Sequence, residues 1–150
     1  MSQSRPQTSA SGELARKLSI KPRSRLYVTG APPAFAQLRP PALPDGVRLV
    51  RRLAGTFDVI VAFSASRAEL EHRLPRLRAA LDPAGGLWIA WPKRSSGLAT
   101  DLRDGVVREL GLVAGLVDNK VCAIDETWSG LRFVYRFSDR PAAARRPADR

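Results

Sequence analysis

The sequence predicts an α/β fold in three layers, with helices on both faces of a mostly parallel sheet that ends in an antiparallel hairpin. Three observations carry this reading. DVIVAF (58–63) is continuously apolar, the pattern of a parallel strand covered on both faces. Leu70, Leu74, Leu77 and Leu81 then form a stripe at helical spacing, and GLWIAWP (86–92) follows as a second buried strand. Finally, only residues 126–130 separate KVCAID (120–125) from LRFVYRF (131–137), a spacing suited to a hairpin. Strands joined by helices and closed by a hairpin make a Rossmann-like arrangement.

The remaining elements follow in order. Residues 1–12 are rich in Ser and Gln and are expected to be a disordered tail. GELARKLSI (12–20) has enough apolar residues for a short helix, and RLYVTGAP (25–32) is a β-rich run stopped by Gly and Pro. PAFAQL (33–38) allows one or two helical turns, with Pro33 tolerated at the start. Pro40, Pro41, Pro44 and Asp45-Gly46 make a loop. VRLVRRL (47–53) mixes apolar and basic positions, as a strand near a sheet edge does.

Ser66 and Glu69 have capping-box spacing ahead of the leucine stripe. Pro75 inside that stripe costs about 3 kcal/mol in an uninterrupted helix, so a kink is expected. Thr100 is placed to cap a third helix, with Asp101 and Asp104 near its positive end and Gly111 ending it. Asp118-Asn119-Lys120 reads as a turn into the next strand. The folded domain is expected to span 13–137, with 138–150 a disordered basic tail.

The net charge of +11 is uneven: residues 1–25 hold five of these charges and residues 138–150 two. The basic flanks would attract nucleic acid through salt-sensitive contacts, although no aromatic side chain is interleaved with them for base stacking. An Arg-, Ala- and Pro-rich composition also follows from genomic base bias alone. No apolar run approaches the roughly 18 residues that span a bilayer, and the first residues lack a signal-peptide core. A membrane partner is therefore not expected. Cys122 is the one cysteine, which excludes an intrachain disulfide and suits a reducing, cytoplasmic compartment. His72, beside Glu71 and Arg73, makes neither a metal site nor a catalytic triad.

Two resemblances stand on these strings. IKPRSRLYVTGAP, DVIVAF, LRAALDPAGGLWIA and the terminal hairpin are similar to the first, fourth, fifth and sixth-to-seventh strands of class I S-adenosylmethionine-dependent methyltransferases. More narrowly, RLYVTGAP, VAFSASRAELE, WPKRSSGLATDLRD and LVDNKVCAIDETWSGLRFVYR resemble a bacterial family known as domain of unknown function 3052, over roughly residues 12–137. The narrow resemblance implies membership and fold and brings no activity. The broad one implies a methyltransferase-like, Rossmann-like sheet, a glycine-rich first loop and an acid after the second strand to hold the cofactor ribose. Here the loop is Gly30-Ala31-Pro32-Pro33 and the acid's place is Val50-Arg51-Arg52. Two prolines remove backbone donors and an arginine accepts no hydrogen bond. Both departures argue against S-adenosylmethionine as the cofactor.

Open α/β sheets bind ligands beyond the carboxyl ends of their strands. Gly30, Ser64, Trp91, Lys93, Arg94, Ser95, Ser96, Asp125, Glu126 and Trp128 are expected at that end. WPKRSSG offers two cations, two hydroxyls and a glycine to a phosphate or carboxylate, or it is a solvated turn. Asp125 and Glu126 are an acid/base pair or, more simply, ion-pair partners of Lys93 and Arg94. Trp91 and Trp128 stack on a planar ligand or lid the core. Taken together, the residues favour a non-catalytic methyltransferase-like domain that binds a small anion or a protein partner. The alternatives are a divergent methyltransferase or other enzyme, and a nucleic-acid-associated protein acting through its tails.

Overall fold

The computed structural model describes residues 12–33 and 35–141. Most of the two expected tails, 1–11 and 142–150, lies outside these. Strands β1 (Arg25–Thr29), β2 (Arg48–Val50), β3 (Phe57–Phe63), β4 (Leu81–Pro92), β5 (Leu116–Ala123) and β6 (Trp128–Tyr135) form one sheet in the order β2-β1-β3-β4-β6-β5. The first four run parallel, β6 is antiparallel to β4, and β5 is antiparallel to β6. Helices α1 (Glu13–Lys17), α2 (Arg67–Ala79) and α3 (Asp104–Val113) complete the three-layer Rossmann-like fold.

Each face of the sheet has its own core. On one, Leu70, Leu74 and Leu77 of α2 and Val107 and Leu110 of α3 pack on Ile60, Leu87, Ile89 and Phe133. On the other, Leu14 and Ala15 of α1 and Leu18 just after it, with Phe35 and Leu38, cover Val59, Val61, Phe63 and Trp88. This second layer is thin, since α1 has five residues and the described residues of 30–33 and 35–47 form turns and bends with no helix. The Trp88 indole, 0% exposed, crosses into it and donates to the Leu18 carbonyl at 3.0 Å.

Between β2 and β3, residues 51–56 cross the α2 face of β1 without a helix. The resemblance numbered DVIVAF as a fourth strand, whereas in this sheet it is the third. Among the described residues the third strand of the implied seven is missing, and β2 becomes the exposed edge beside β1.

Several local expectations change. Ser66 does cap α2, accepting from the Glu69 amide at 3.2 Å. The Glu69 carboxylate accepts from the Ser64 hydroxyl at 3.1 Å instead of closing the box, and α2 continues through Pro75. Thr100 does not cap α3, which begins after Arg103 with no side-chain cap. Its hydroxyl donates to the Ala65 carbonyl and accepts from the Leu102 amide, tying the loop to the start of α2.

Gly111 lies inside α3 rather than at its end. A Cβ there would enter the Phe133 ring. The left-handed residue after the helix is Gly115, at φ 92°. Asp118-Asn119-Lys120 is not a turn but part of β5, with a register shift between Asp118 and Lys120. Asp118 accepts from Arg108 Nε of α3 at 3.0 Å, a contact that ties this part of β5 to the helix. Among the described residues no helix is long and apolar enough to cross a membrane.

Candidate functional site

The carboxyl ends of β1, β3 and β4 meet the β5–β6 turn at one edge of the sheet, because Pro92 pairs with Trp128 and Ala123 with Ser129. Gly30 leaves β1 there with φ 76°, and an added Cβ would stand 2.5 Å from the Phe63 carbonyl oxygen. The glycine is thus required by the approach of β1 to β3, whatever binds nearby.

Three adjoining hollows run along this edge. The first, about 300 Å³, lies over the ends of β1 and β2 between Val28, Pro32, Phe35, Leu49, Val50 and Arg51. The second, about 560 Å³, shares Pro32 and Phe35 with it and reaches Gly30, Gln37, Asp125 and Trp128. The third, also about 560 Å³, shares Gln37, Asp125 and Thr127 with the second and extends to Glu13, Lys17, Lys93 and Glu126. Volumes of this size suit small ligands, with apolar walls in the first hollow and charged groups in the third.

The expected site residues divide into two groups. Gly30, Lys93, Asp125, Glu126 and Trp128 gather around these hollows. Trp128 stands edge-on to Phe63 at 5.1 Å, and Phe35 stands edge-on to the same ring at 5.2 Å, forming an aromatic floor. Asp125 accepts from the Thr127 and Trp128 amides, both at 2.8 Å, so the carboxylate shapes the β5–β6 turn. Among the described residues neither Asp125 nor Glu126 pairs with Lys93 or Arg94.

The second group faces elsewhere. Ser64, 4% exposed, spends its hydroxyl on the Ser66 carbonyl and the Glu69 carboxylate at the start of α2. Trp91, 5% exposed, packs into the core beneath α2 and α3 and is not a stacking platform. WPKRSSG folds as a 3₁₀ turn over Arg94–Ser96, and Ser96 bonds back to the Lys93 carbonyl at 2.7 Å. Arg94 and Ser95 are exposed, and α3 starts only at Asp104, so no helix terminus stands behind the loop.

Sequence reasoning missed Phe35, Gln37 and Leu49 as lining residues. Their signal was weak, because a turn-rich segment and a short edge strand carry no periodicity to show which side chains face inward. It also missed Arg73, whose guanidinium donates to the Phe63 carbonyl at 3.3 Å and Thr29 Oγ1 at 3.1 Å and so joins the ends of β3 and β1. Among the described residues no three His, Cys, Asp or Glu side chains gather as a metal site.

No protein-family model and no curated protein sequence matches the chain. Solved structures do. Magnesium protoporphyrin IX methyltransferase from Synechocystis PCC 6803, with bound S-adenosylmethionine, matches 87% of this chain and 79% of its own at 12% identity and TM-score 0.54. The 1,6-didemethyltoxoflavin-N1-methyltransferase of Burkholderia thailandensis, with bound S-adenosylhomocysteine, matches 86% and 76% at 16% identity and TM-score 0.55. A methyltransferase from Aquifex aeolicus matches 86% and 92% at 12% identity and TM-score 0.59.

These matches correct the argument against S-adenosylmethionine. Proteins solved with that cofactor or its product share this architecture over most of the chain, so a glycine-poor loop does not set the fold apart from them. The physical reason is that the sheet edge itself forms the crevice, where Gly30 keeps the close approach and the hollow over Val28 and Leu49 persists beside the prolines. The chain has the methyltransferase-type Rossmann-like fold.

Proposed function

We propose that this protein is a divergent S-adenosylmethionine-dependent methyltransferase whose cofactor lies in the crevice over β1 and β2. The observation that carries this reading is the match of 86–87% of the chain to methyltransferases solved with S-adenosylmethionine or S-adenosylhomocysteine, together with a hollow at the carboxyl ends of β1 and β2. This supports the enzymatic reading over a non-catalytic one. Val28, Phe35, Leu49 and Val50 would wall an adenosine body, with Arg51 beside it where the resemblance implies a ribose-holding acid. When bound, the cofactor supplies an electrophilic methyl group. Lys93, Glu126 and Trp128 at the neighbouring hollows would orient the acceptor. The strings quoted above support a place in the domain of unknown function 3052 family.

Calorimetric titration with S-adenosylmethionine and S-adenosylhomocysteine tests the reading. Micromolar binding is expected, weakened about tenfold or more by Leu49→Arg, which fills the hollow. Gly30→Val should abolish binding, with circular dichroism used to separate lost affinity from lost structure. No heat at millimolar ligand with a folded protein would overturn the proposal.

A further inference from the structure

Tyr27 and Val28 are adjacent on β1 and point to opposite faces of the sheet. Val28 lines the crevice described above, and Tyr27 lines a separate hollow of about 420 Å³ on the α2 side. Its other walls are Arg52 and Leu53 of the crossing segment and His72, Arg73, Arg76 and Leu77 of α2. Three guanidinium groups and an imidazole therefore surround a floor of Tyr27, Leu53 and Leu77, and no carboxylate lines the space.

The acids nearest in sequence are engaged elsewhere. Glu71 pairs with Arg67 at 3.7 Å, and Glu69 accepts from Ser64. Among the described residues Arg52, His72 and Arg76 have no ion-pair partner. Arg73 uses two of its five donors on Phe63 and Thr29, which anchors the group and leaves donors for a ligand. Like charges held around one cavity repel each other until an anion enters, and arginine forks match phosphate oxygens in pairs.

We infer that this hollow binds a small phosphate-bearing ligand, a phosphate monoester or diphosphate whose apolar or planar body rests on Tyr27, Leu53 and Leu77. The cations grip the phosphate at the rim, and the volume lies within the range of small-molecule sites. The hollow lies where residues 51–56 pass over β1 as a strap without a helix. The site is independent of whether the crevice on the opposite face holds a cofactor.

The test is calorimetric titration of the full chain with pyrophosphate at low salt, with S-adenosylhomocysteine present in excess so that the crevice does not contribute. Saturable binding is expected, weakened about tenfold or more in the Arg52→Ala/Arg76→Ala double variant and unchanged in Arg94→Ala, whose exposed side chain lies on the 3₁₀ turn away from this hollow. Both altered positions are exposed, so the variants should fold. Absence of pyrophosphate binding, or binding that the double variant leaves intact, would overturn the inference. A short single-stranded RNA that binds when pyrophosphate does not, and is lost in the double variant, would equally overturn it in favour of a nucleic-acid backbone.

Discussion

Burial pushes the Cys122 thiol above the ordinary cysteine range, while Lys17 and Lys120 pull it part of the way back. A thiol reacts as its thiolate, so alkylation at neutral pH should be slower than for a free cysteine and should accelerate only at higher pH. Lys17→Ala or Lys120→Ala removes a lowering charge and should shift the rate profile further upward, which a pH series with iodoacetamide measures. The sign for stability follows from the same direction. A group held protonated in the fold but free to ionise in the unfolded chain reduces stability as pH rises through the unfolded thiol range, and has no effect well below it. The half-buried position on β5 accounts for this chemistry.

At the scale of elements, α3 and β6 meet at Gly111 and Phe133. Gly111→Ala would gain about 1 kcal/mol of helix propensity. Its methyl group would enter a ring that is 0% exposed and has no room to move, an overpacking cost of about 1–3 kcal/mol. A net loss of stability is therefore expected, read as a lower urea midpoint with an unchanged slope. The glycine's position four residues before Gly115 in a helical run left its role illegible in the sequence, since a cap and a close contact ask for the same residue. Ser66 was legible because a capping serine acts within one turn. Thr100 was not, because its partner Ala65 lies 35 residues away.

Across the whole molecule, Trp88 is a buried side chain that joins the sheet to the thin α1 layer. Trp88→Phe keeps a ring but removes the indole donor, leaving the buried Leu18 carbonyl unpaired at a cost of about 1–3 kcal/mol. Hydrogen exchange should quicken most across residues 13–20, with the α2 and α3 face less affected. Uniform acceleration across both faces would show that α1 is not a separable layer. The uneven charge also looks different in three dimensions. Arg16, Lys17 and Arg25, read as part of a basic flank, belong to α1 and β1. Lys17 donates to the Ala123 carbonyl, and Arg25 to the Thr56 and Ala54 carbonyls.

The apolar runs by themselves determined the α/β class, the parallel core of DVIVAF and GLWIAWP, the leucine face of α2 and the closing hairpin. Each depends on burial periodicity within a few neighbouring residues, and such patterns survive without knowledge of what lies opposite. The tertiary structure alone decided which face each site residue takes. It sent Trp91 into the core, turned Asp125 and Ser96 back on their own loops and brought Phe35 onto Phe63. It also gathered Arg52, Arg73 and Arg76 around one hollow from segments that are separate in the chain. Those outcomes arise from contacts between distant residues, where the competition for each polar group and each unit of volume is settled by neighbours that local sequence does not name.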